Sequence, residues 1–258
     1  MSAIFTDSLH LAGRRLRAVL RQPMYVAFTL VTPIIWLFLF GQLFKGITAL
    51  PGFPAGSYVA FLTPGIVIMT TIFSNGWAGM SYVTDMERGV MDRLLVSPAR
   101  RVSLIAGDLA NQAIVTLVQS LIILGLGVLG GARFPGGLPA ALALLLAAVL
   151  IGSVFAAFSI AMALLLRREE SIIAVVNFLG LPLSFLSTTL MPSGLMPVWI
   201  RHVSRFNPIT WGVTVGREML HSHVAWGTVG LNLFYLALLA AALVALCSLS
   251  FRSYQRTA

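Results

Sequence analysis

Charge, lysine and cysteine are scarce in this chain. Charged residues make up 10% of 258 positions, where a soluble globular domain carries about a quarter, so most of the sequence is unsuited to a water-facing surface. The one cysteine, Cys247, lies inside an apolar run, which excludes a disulfide framework or a Cys-x-x-Cys metal site. The one lysine, Lys45, is followed by Gly46 and Ile47. A Walker loop needs Gly-x-x-x-x-Gly-Lys-Ser/Thr, so that backbone amides cradle phosphates while the lysine reaches them; Lys45 stands in no such loop, so no nucleotide-phosphate site of this kind is expected. None of the eight acidic residues falls squarely in the middle of an apolar run, where an ion-coupled or facilitative membrane carrier would use them. His221 and His223 have no third ligand beside them, so no metal site is expected. No nucleophile, base and orienter come together, so no catalytic residue is assigned and the chain by itself is not read as an enzyme.

What the chain has in quantity is apolar sequence: 58% hydrophobic residues and a mean hydropathy of +0.93. About 20 apolar residues cross the hydrocarbon of a bilayer as a helix. Six runs meet that length, at 24–44, 57–82, 103–130, 138–166, 171–190 and 229–251. The expected fold is a single all-α polytopic membrane domain over 1–258. Gly130 to Gly137 and the charged knot Arg167-Arg168-Glu169-Glu170 separate the third, fourth and fifth runs. Between the fifth and sixth, 191–226 is apolar but broken by Pro192, Pro197, Arg201, Arg205, Pro208, Arg217 and Glu218. It is too interrupted to span and is expected to form short helices that enter the membrane and return.

The net charge of +9 does not indicate nucleic acid, because the basic residues sit between apolar runs rather than clustered on one face. They read as topology signals. Six spans place twelve basic residues on one side and five on the other, which puts both termini in the cytoplasm. The first residues do not fit a cleavable signal peptide, since Arg14, Arg15, Arg17 and Arg21 follow Ile4, Phe5 and Leu9 instead of preceding them.

Two segments read as surface elements. Over 4–22, Phe5, Leu9, Ala12, Leu16 and Val19 recur at helical spacing opposite Arg14, Arg17 and Arg21, a basic amphipathic helix suited to the headgroup layer of membrane lipid or to an acidic partner. In the loop 83–102, Met91, Leu94 and Leu95 share one face while Glu87, Arg88 and Asp92 lie on another, and Pro98 ends the helix. A short helix of this kind at a membrane surface is a docking element.

Polar residues within spans are costly and so are candidates for a translocation path: Asn75, Asn111, Gln112, Gln119, Asn177 and Asn232, with Thr70 and Ser74 nearby. Phe61, Met69, Phe73, Trp77, Phe158, Phe178 and Phe185 suit an apolar or amphipathic cargo, although in lipid such side chains also serve as packing. In 191–226, Pro197 and Pro208 are expected to fix bends, Trp199 and Trp211 to anchor at headgroup depth, and Asn207 to cap the turn that follows it.

The loop, from Glu87-Arg88-Gly89 through Asp92, Arg93 and Leu94 to Pro98, resembles a signature of the type-2 ABC exporter permeases. That family includes daunorubicin-resistance membrane subunits and nodulation-factor and polysaccharide export subunits. Leu190-Met191-Pro192, Leu195 to Ile200 and Phe206-Asn207-Pro208-Ile209-Thr210 resemble its second signature. Val90 after Gly89 departs from the small polar residue many relatives carry. The resemblance implies that 87–98 is the coupling helix received by a separate nucleotide-binding ATPase subunit, which holds the ATP and magnesium. It further implies that 4–22 is an interfacial elbow helix, that 191–226 is an extracellular re-entrant cap, and that the chain is an export subunit of a bacterial inner membrane. A half-transporter of six spans also requires a second permease subunit, as a homodimer or a heterodimer.

Overall fold

The computed structural model describes residues 31–49, 53, 57–89 and 101–257, with the backbone alone at 101–104 and 252–257. The amphipathic segment 4–22 with Arg14, Arg17 and Arg21, and the loop residues Asp92, Arg93, Leu94 and Pro98, lie outside the described residues. Every regular element among those described is helical. In chain order they are α1 (Val31–Leu43, with a π-helical turn at Trp36–Phe40), α2 (Tyr58–Gly76), α3 (Met80–Glu87), α4 (Arg101–Leu129), α5 (Gly137–Leu166), α6 (Glu169–Phe185), α7 (Val198–Ser204), α8 (Pro208–Arg217) and α9 (Trp226–Thr257).

Four helices among the described residues are long and apolar enough to cross a membrane: Tyr58–Glu87, which joins α2 and α3, Ile105–Leu129, Gly137–Leu166 and Trp226–Phe251. The first is the bundle's axis, since 83% of its most apolar window is buried, against 22% for Trp226–Phe251. The outward faces of α6 and α9, with Phe178, Phe185, Phe234 and Leu238 exposed, are apolar as lipid requires. Two cores hold the bundle. One packs α2, α5, α8 and the first half of α9 around Leu62, Ile66, Leu144, Ile151 and Ile209. The other joins α3, α4, α5 and the end of α9 around Val83, Ile105, Ile160 and Phe251.

Local chemistry sets the ends of these helices. Ser57 caps α2 by accepting from the Ala60 amide at 3.1 Å, and Glu169 and Glu170 open α6 with negative charge where the helix dipole favours it. The fifth apolar run was expected to be helical over 171–190, yet α6 ends at Phe185, 17 residues and about 25 Å long. At its end Ser184 donates to the Gly180 carbonyl and Ser187 to that of Ser184, local side-chain bonds that compete with the backbone ladder.

The segment 191–226 forms short helices, as its prolines predict. α8 is the one that enters the bundle. It runs antiparallel to α2, with Gly212 against Ile68 and Gly216 between Pro64 and Leu144. A β-carbon at Gly216 would stand 2.7 Å from both of those side chains, so glycine is what lets α8 lie against α2 and α5 together. The loop 83–102 begins later than expected, because 83–87 continue α3. Glu87 is therefore the last residue of a helix leading out of the bundle, and not the first of a separate docking helix; Arg88 follows as its C-cap.

Candidate functional site

Three constructions in this bundle have the character of functional sites, and the first is a cleft. Thr70, Phe73 and Ser74 from α2 with its C-cap Trp77, Thr32 and Trp36 from α1, Gln119 from α4 and Leu181 from α6 line a space of about 380 Å³. Of the residues expected to form a path or to suit its cargo, Thr70, Ser74, Gln119, Met69, Phe73 and Trp77 line it. Asn75 sits behind that wall, 1% exposed, with Nδ2 donating to the Thr71 carbonyl at 2.8 Å and to Thr116 Oγ1 at 2.9 Å, so it joins α2 to α4. Asn177 donates to the Ile173 carbonyl within α6, and Phe178 is 78% exposed; neither lines the cleft. Gln119 has its Oε1 buried without a partner. No ionisable side chain is among the cleft's described lining.

The second lies where α8 meets the segment after α6. Asn207 caps α8 by accepting from the Ile209 amide at 2.9 Å, and its Nδ2 donates to the Leu183 and Leu186 carbonyls at 2.7 and 3.2 Å. One side chain thus satisfies the start of one helix and the open carbonyl end of another. Pro208 follows at N1, where a missing amide hydrogen costs nothing. At the far end of α8, Arg217 Nη2 donates to the Thr188 and Thr189 carbonyls, and Tyr58 Oη donates to the Leu190 carbonyl at 3.0 Å. Arg201 likewise donates to the Ser193 and Met196 carbonyls at 2.9 and 3.2 Å. Of these carbonyls, those of Leu183 and Leu186 are ones that a helix continued to Leu190 would itself have used. Pro197 is the exposed N-cap of α7, Trp199 is 63% exposed, and Trp211 Nε1 donates to the Arg205 carbonyl at 2.8 Å.

The third is the junction of α2 and α3. The helix breaks at Trp77 to Gly79, and Ser159 of α5 bridges the break, its Oγ donating to the Gly76 carbonyl and accepting from the Gly79 amide at 2.9 Å. A β-carbon at Gly79 would stand 2.3 Å from the Ser159 carbonyl oxygen, so the contact requires glycine. Beyond the break, Tyr82 Oη donates to Asp108 Oδ2 at 2.6 Å and Thr84 Oγ1 to Glu169 Oε1 at 2.9 Å. These bonds fasten α3 to α4 and α6 near exposed Glu87 and Arg88, before Gly89 turns the chain at φ +64°.

Sequence reasoning missed Arg217 and Ser159 as structural keys. Arg217 was counted as a topology signal, although an arginine next to a run too short to span is itself a reason to look for buried carbonyls. For Ser159 no sequence signal exists: a lone serine in a helix usually bonds its own backbone.

The sequence model describing the ABC-2 type transporter matches residues 8–221 of this chain. Similar proteins include the transport permease ycf38 of Cyanophora paradoxa, 31% identical over 227 residues, covering 87% of this chain and 78% of that protein. The daunorubicin resistance ABC transporter permease protein DrrB1 of Streptomyces coeruleorubidus is 25% identical over 232 residues, 90% of this chain and 81% of the relative. The doxorubicin resistance ABC transporter permease protein DrrC of Mycobacterium tuberculosis is 28% identical over 189 residues, 73% of this chain and 67% of the relative. An apolar helical bundle, a family match over most of its length and relatives that are themselves permeases agree: the chain belongs to the ABC-2 type transporter family, as a membrane-embedded permease subunit.

Proposed function

We propose that this permease is half of the membrane path of an ATP-driven exporter, and that it moves an amphipathic or hydrophobic compound, such as a drug, lipid or glycoconjugate, out of the cytoplasm or inner leaflet. The observation that carries this is the cleft between α1, α2, α4 and α6, which holds aromatic and hydroxyl groups but no charge among its described lining. A proton-coupled carrier places a titratable group near the site where cargo and proton meet, and none is in the described lining. Drug resistance in the names of DrrB1 and DrrC supports the same class of cargo.

In this reading the energy comes from a separate ATPase subunit, which binds ATP and magnesium and docks on Glu87, Arg88, Gly89, Asp92, Arg93, Leu94 and Pro98. The helix 4–22, with Arg14, Arg17 and Arg21, lies beside it in the inner headgroup layer. The chain spans a bacterial cell membrane six times with both termini cytoplasmic, 191–226 with Pro197, Trp199, Asn207 and Pro208 forms the outer cap, and a second permease subunit completes the path. Co-expression with the ATPase, reconstitution in vesicles and measurement of vanadate-sensitive cargo movement test the proposal. Movement that follows an ion gradient and ignores vanadate overturns it.

A further inference from the structure

α7 carries its amphipathicity inverted. Its polar groups turn inward: Arg201 donates to the Ser193, Gly194 and Met196 carbonyls, and the buried Ser204 donates to the Arg201 carbonyl. The helical turn runs on past Ser204, since Arg205 keeps helical dihedrals and the Phe206 amide donates to the Val203 carbonyl. The outward side therefore carries two rows at helical spacing. One is Trp199, Val203 and Phe206, all exposed, Phe206 by 82%; the other is Val198, His202 and Arg205, exposed as well. A contiguous apolar row turned outward marks a membrane or protein contact.

Depth and charge decide between those two. Asn207, two residues past Arg205, donates to the Leu183 and Leu186 carbonyls, and α6 begins at Glu169, so at 1.5 Å per residue the end of α7 stands about 20–25 Å along α6 from its charged start. That is close to the far surface of a hydrocarbon layer about 30 Å thick, where an arginine can snorkel to the headgroups. Arg205 needs negative charge there. The one carboxylate of 191–226, Glu218, accepts from the Ala225 amide, while Asp85, Glu87, Asp108, Glu169 and Glu170 lie at the opposite end of the bundle, where α3 ends and α6 begins. A second copy inserted the same way round carries its carboxylates at that opposite end too. It could cover the apolar row but not neutralise Arg205.

We infer that α7 is a lipid-binding helix selective for anionic phospholipid: Trp199, Val203 and Phe206 lie among acyl chains, and Arg205, with His202 one turn before it, meets the headgroup phosphate. A guanidinium pairs with phosphate through charge-assisted hydrogen bonds. Phosphatidylglycerol leaves that pair a net negative headgroup, whereas the ammonium of phosphatidylcholine offsets its own phosphate. The inference holds whichever leaflet this end of the bundle faces, and it asks nothing of cargo or ATP.

The test puts photoreactive p-benzoylphenylalanine in place of Val198 in the full chain, held in nanodiscs of equal phosphatidylglycerol and phosphatidylcholine with the same acyl chains. Irradiation captures whatever covers this face, and mass spectrometry identifies it. The same label in place of Leu238, on the exposed side of α9, supplies the reference ratio of the two lipids. Position 198 should capture phosphatidylglycerol about fivefold more than that reference, the factor one arginine near a charged surface supplies. Arg205→Gln should bring the ratio down to the reference while lipid is still captured. Arg205→Lys should keep most of the preference, since a point charge also binds phosphate. Inorganic phosphate in millimolar excess should leave the ratio unchanged. Capture of a second copy, or of nothing, overturns the inference, as does a preference that survives Arg205→Gln or disappears with free phosphate. None of these readouts involves nucleotide or cargo, so the export proposal stands or falls separately.

Discussion

The guanidinium carbon of Arg217 lies 3.7 Å from the centroid of the Phe61 ring, while the same side chain donates to the Thr188 and Thr189 carbonyls. A cation in an apolar bundle is thereby held by a ring face on one side and by two backbone dipoles on the other. It connects three elements that share no continuous helix: the start of α2, the segment after α6 and the end of α8.

Replacing Arg217 by methionine should therefore lower stability by about 1–3 kcal/mol, the cost of leaving buried carbonyls unbonded, seen as a lower midpoint of thermal unfolding in detergent. Arg217→Lys should recover little of it, because a lysine ammonium lacks the planar fork that reaches two carbonyls while stacking on a ring. A lysine variant as stable as wild type would show that charge alone matters here.

Asn207 offers a graded test of a side chain with two tasks. Asn207→Asp keeps the acceptor that caps the Ile209 amide but loses the donor to the Leu183 and Leu186 carbonyls. Asn207→Ala loses both. The unfolding midpoint should fall in the order wild type, aspartate, alanine, with about 1 kcal/mol attributable to the cap alone. Equal loss in the two variants would mean that only the donor bonds count.

Much of this was legible before any coordinates. Composition dictated a helical membrane chain, and Asn207-Pro208 announced a capped helix start because those residues carry their preference locally. What stayed hidden depends on residues far apart in sequence. α6 ends at Phe185 although the apolar run continues to Leu190: Asn207 takes the Leu183 and Leu186 carbonyls that a longer helix needs, and Tyr58 and Arg217 hold the carbonyls of the turn beyond. No window centred on 186–190 contains those donors. The break in α2–α3 is likewise written across Gly79 and Ser159, 80 positions apart. In the cleft, Thr70, Ser74, Gln119 and Phe73 were identifiable as polar and aromatic residues within a span, but Asn177 and Phe178, equally suitable by type, lie one turn of α6 before the lining residue Leu181 and do not reach the cleft.

The Ser159 bridge should matter for coupling more than for folding. Trp77 lines the cleft on one side of the break, and Glu87 ends the helix on the other. Ser159→Ala leaves the Gly79 amide and Gly76 carbonyl without that partner and frees the two halves of Tyr58–Glu87 to move independently. The expected result is a chain that assembles with its ATPase and supports hydrolysis but transports several-fold less per ATP. Gly79→Val, which forces a side chain into the Ser159 backbone, should fail at assembly. If the alanine variant retains wild-type transport per ATP, the break is passive.

The proposed topology can be read chemically in intact cells. In a Cys247→Ser background, which removes the one native thiol, single cysteines are placed at Ser193, Ser204 and Ser222. Ser193 and Ser222 are exposed, whereas Ser204 is 2% exposed with its Oγ donating to the Arg201 carbonyl at 3.0 Å. If 191–226 is the outer cap, a membrane-impermeant maleimide added outside should label positions 193 and 222 quickly and position 204 slowly or not at all, until denaturant exposes it. The contrast within the set matters, because it separates sidedness from burial: all three cysteines share one side of the membrane, so only packing distinguishes them. Labelling of 193 and 222 that requires the inner face to be opened reverses the orientation, and with it the cytoplasmic placement of Glu87 and Arg88. Fast labelling at 204 contradicts the packing of the turn between α7 and α8 instead, and leaves the topology standing.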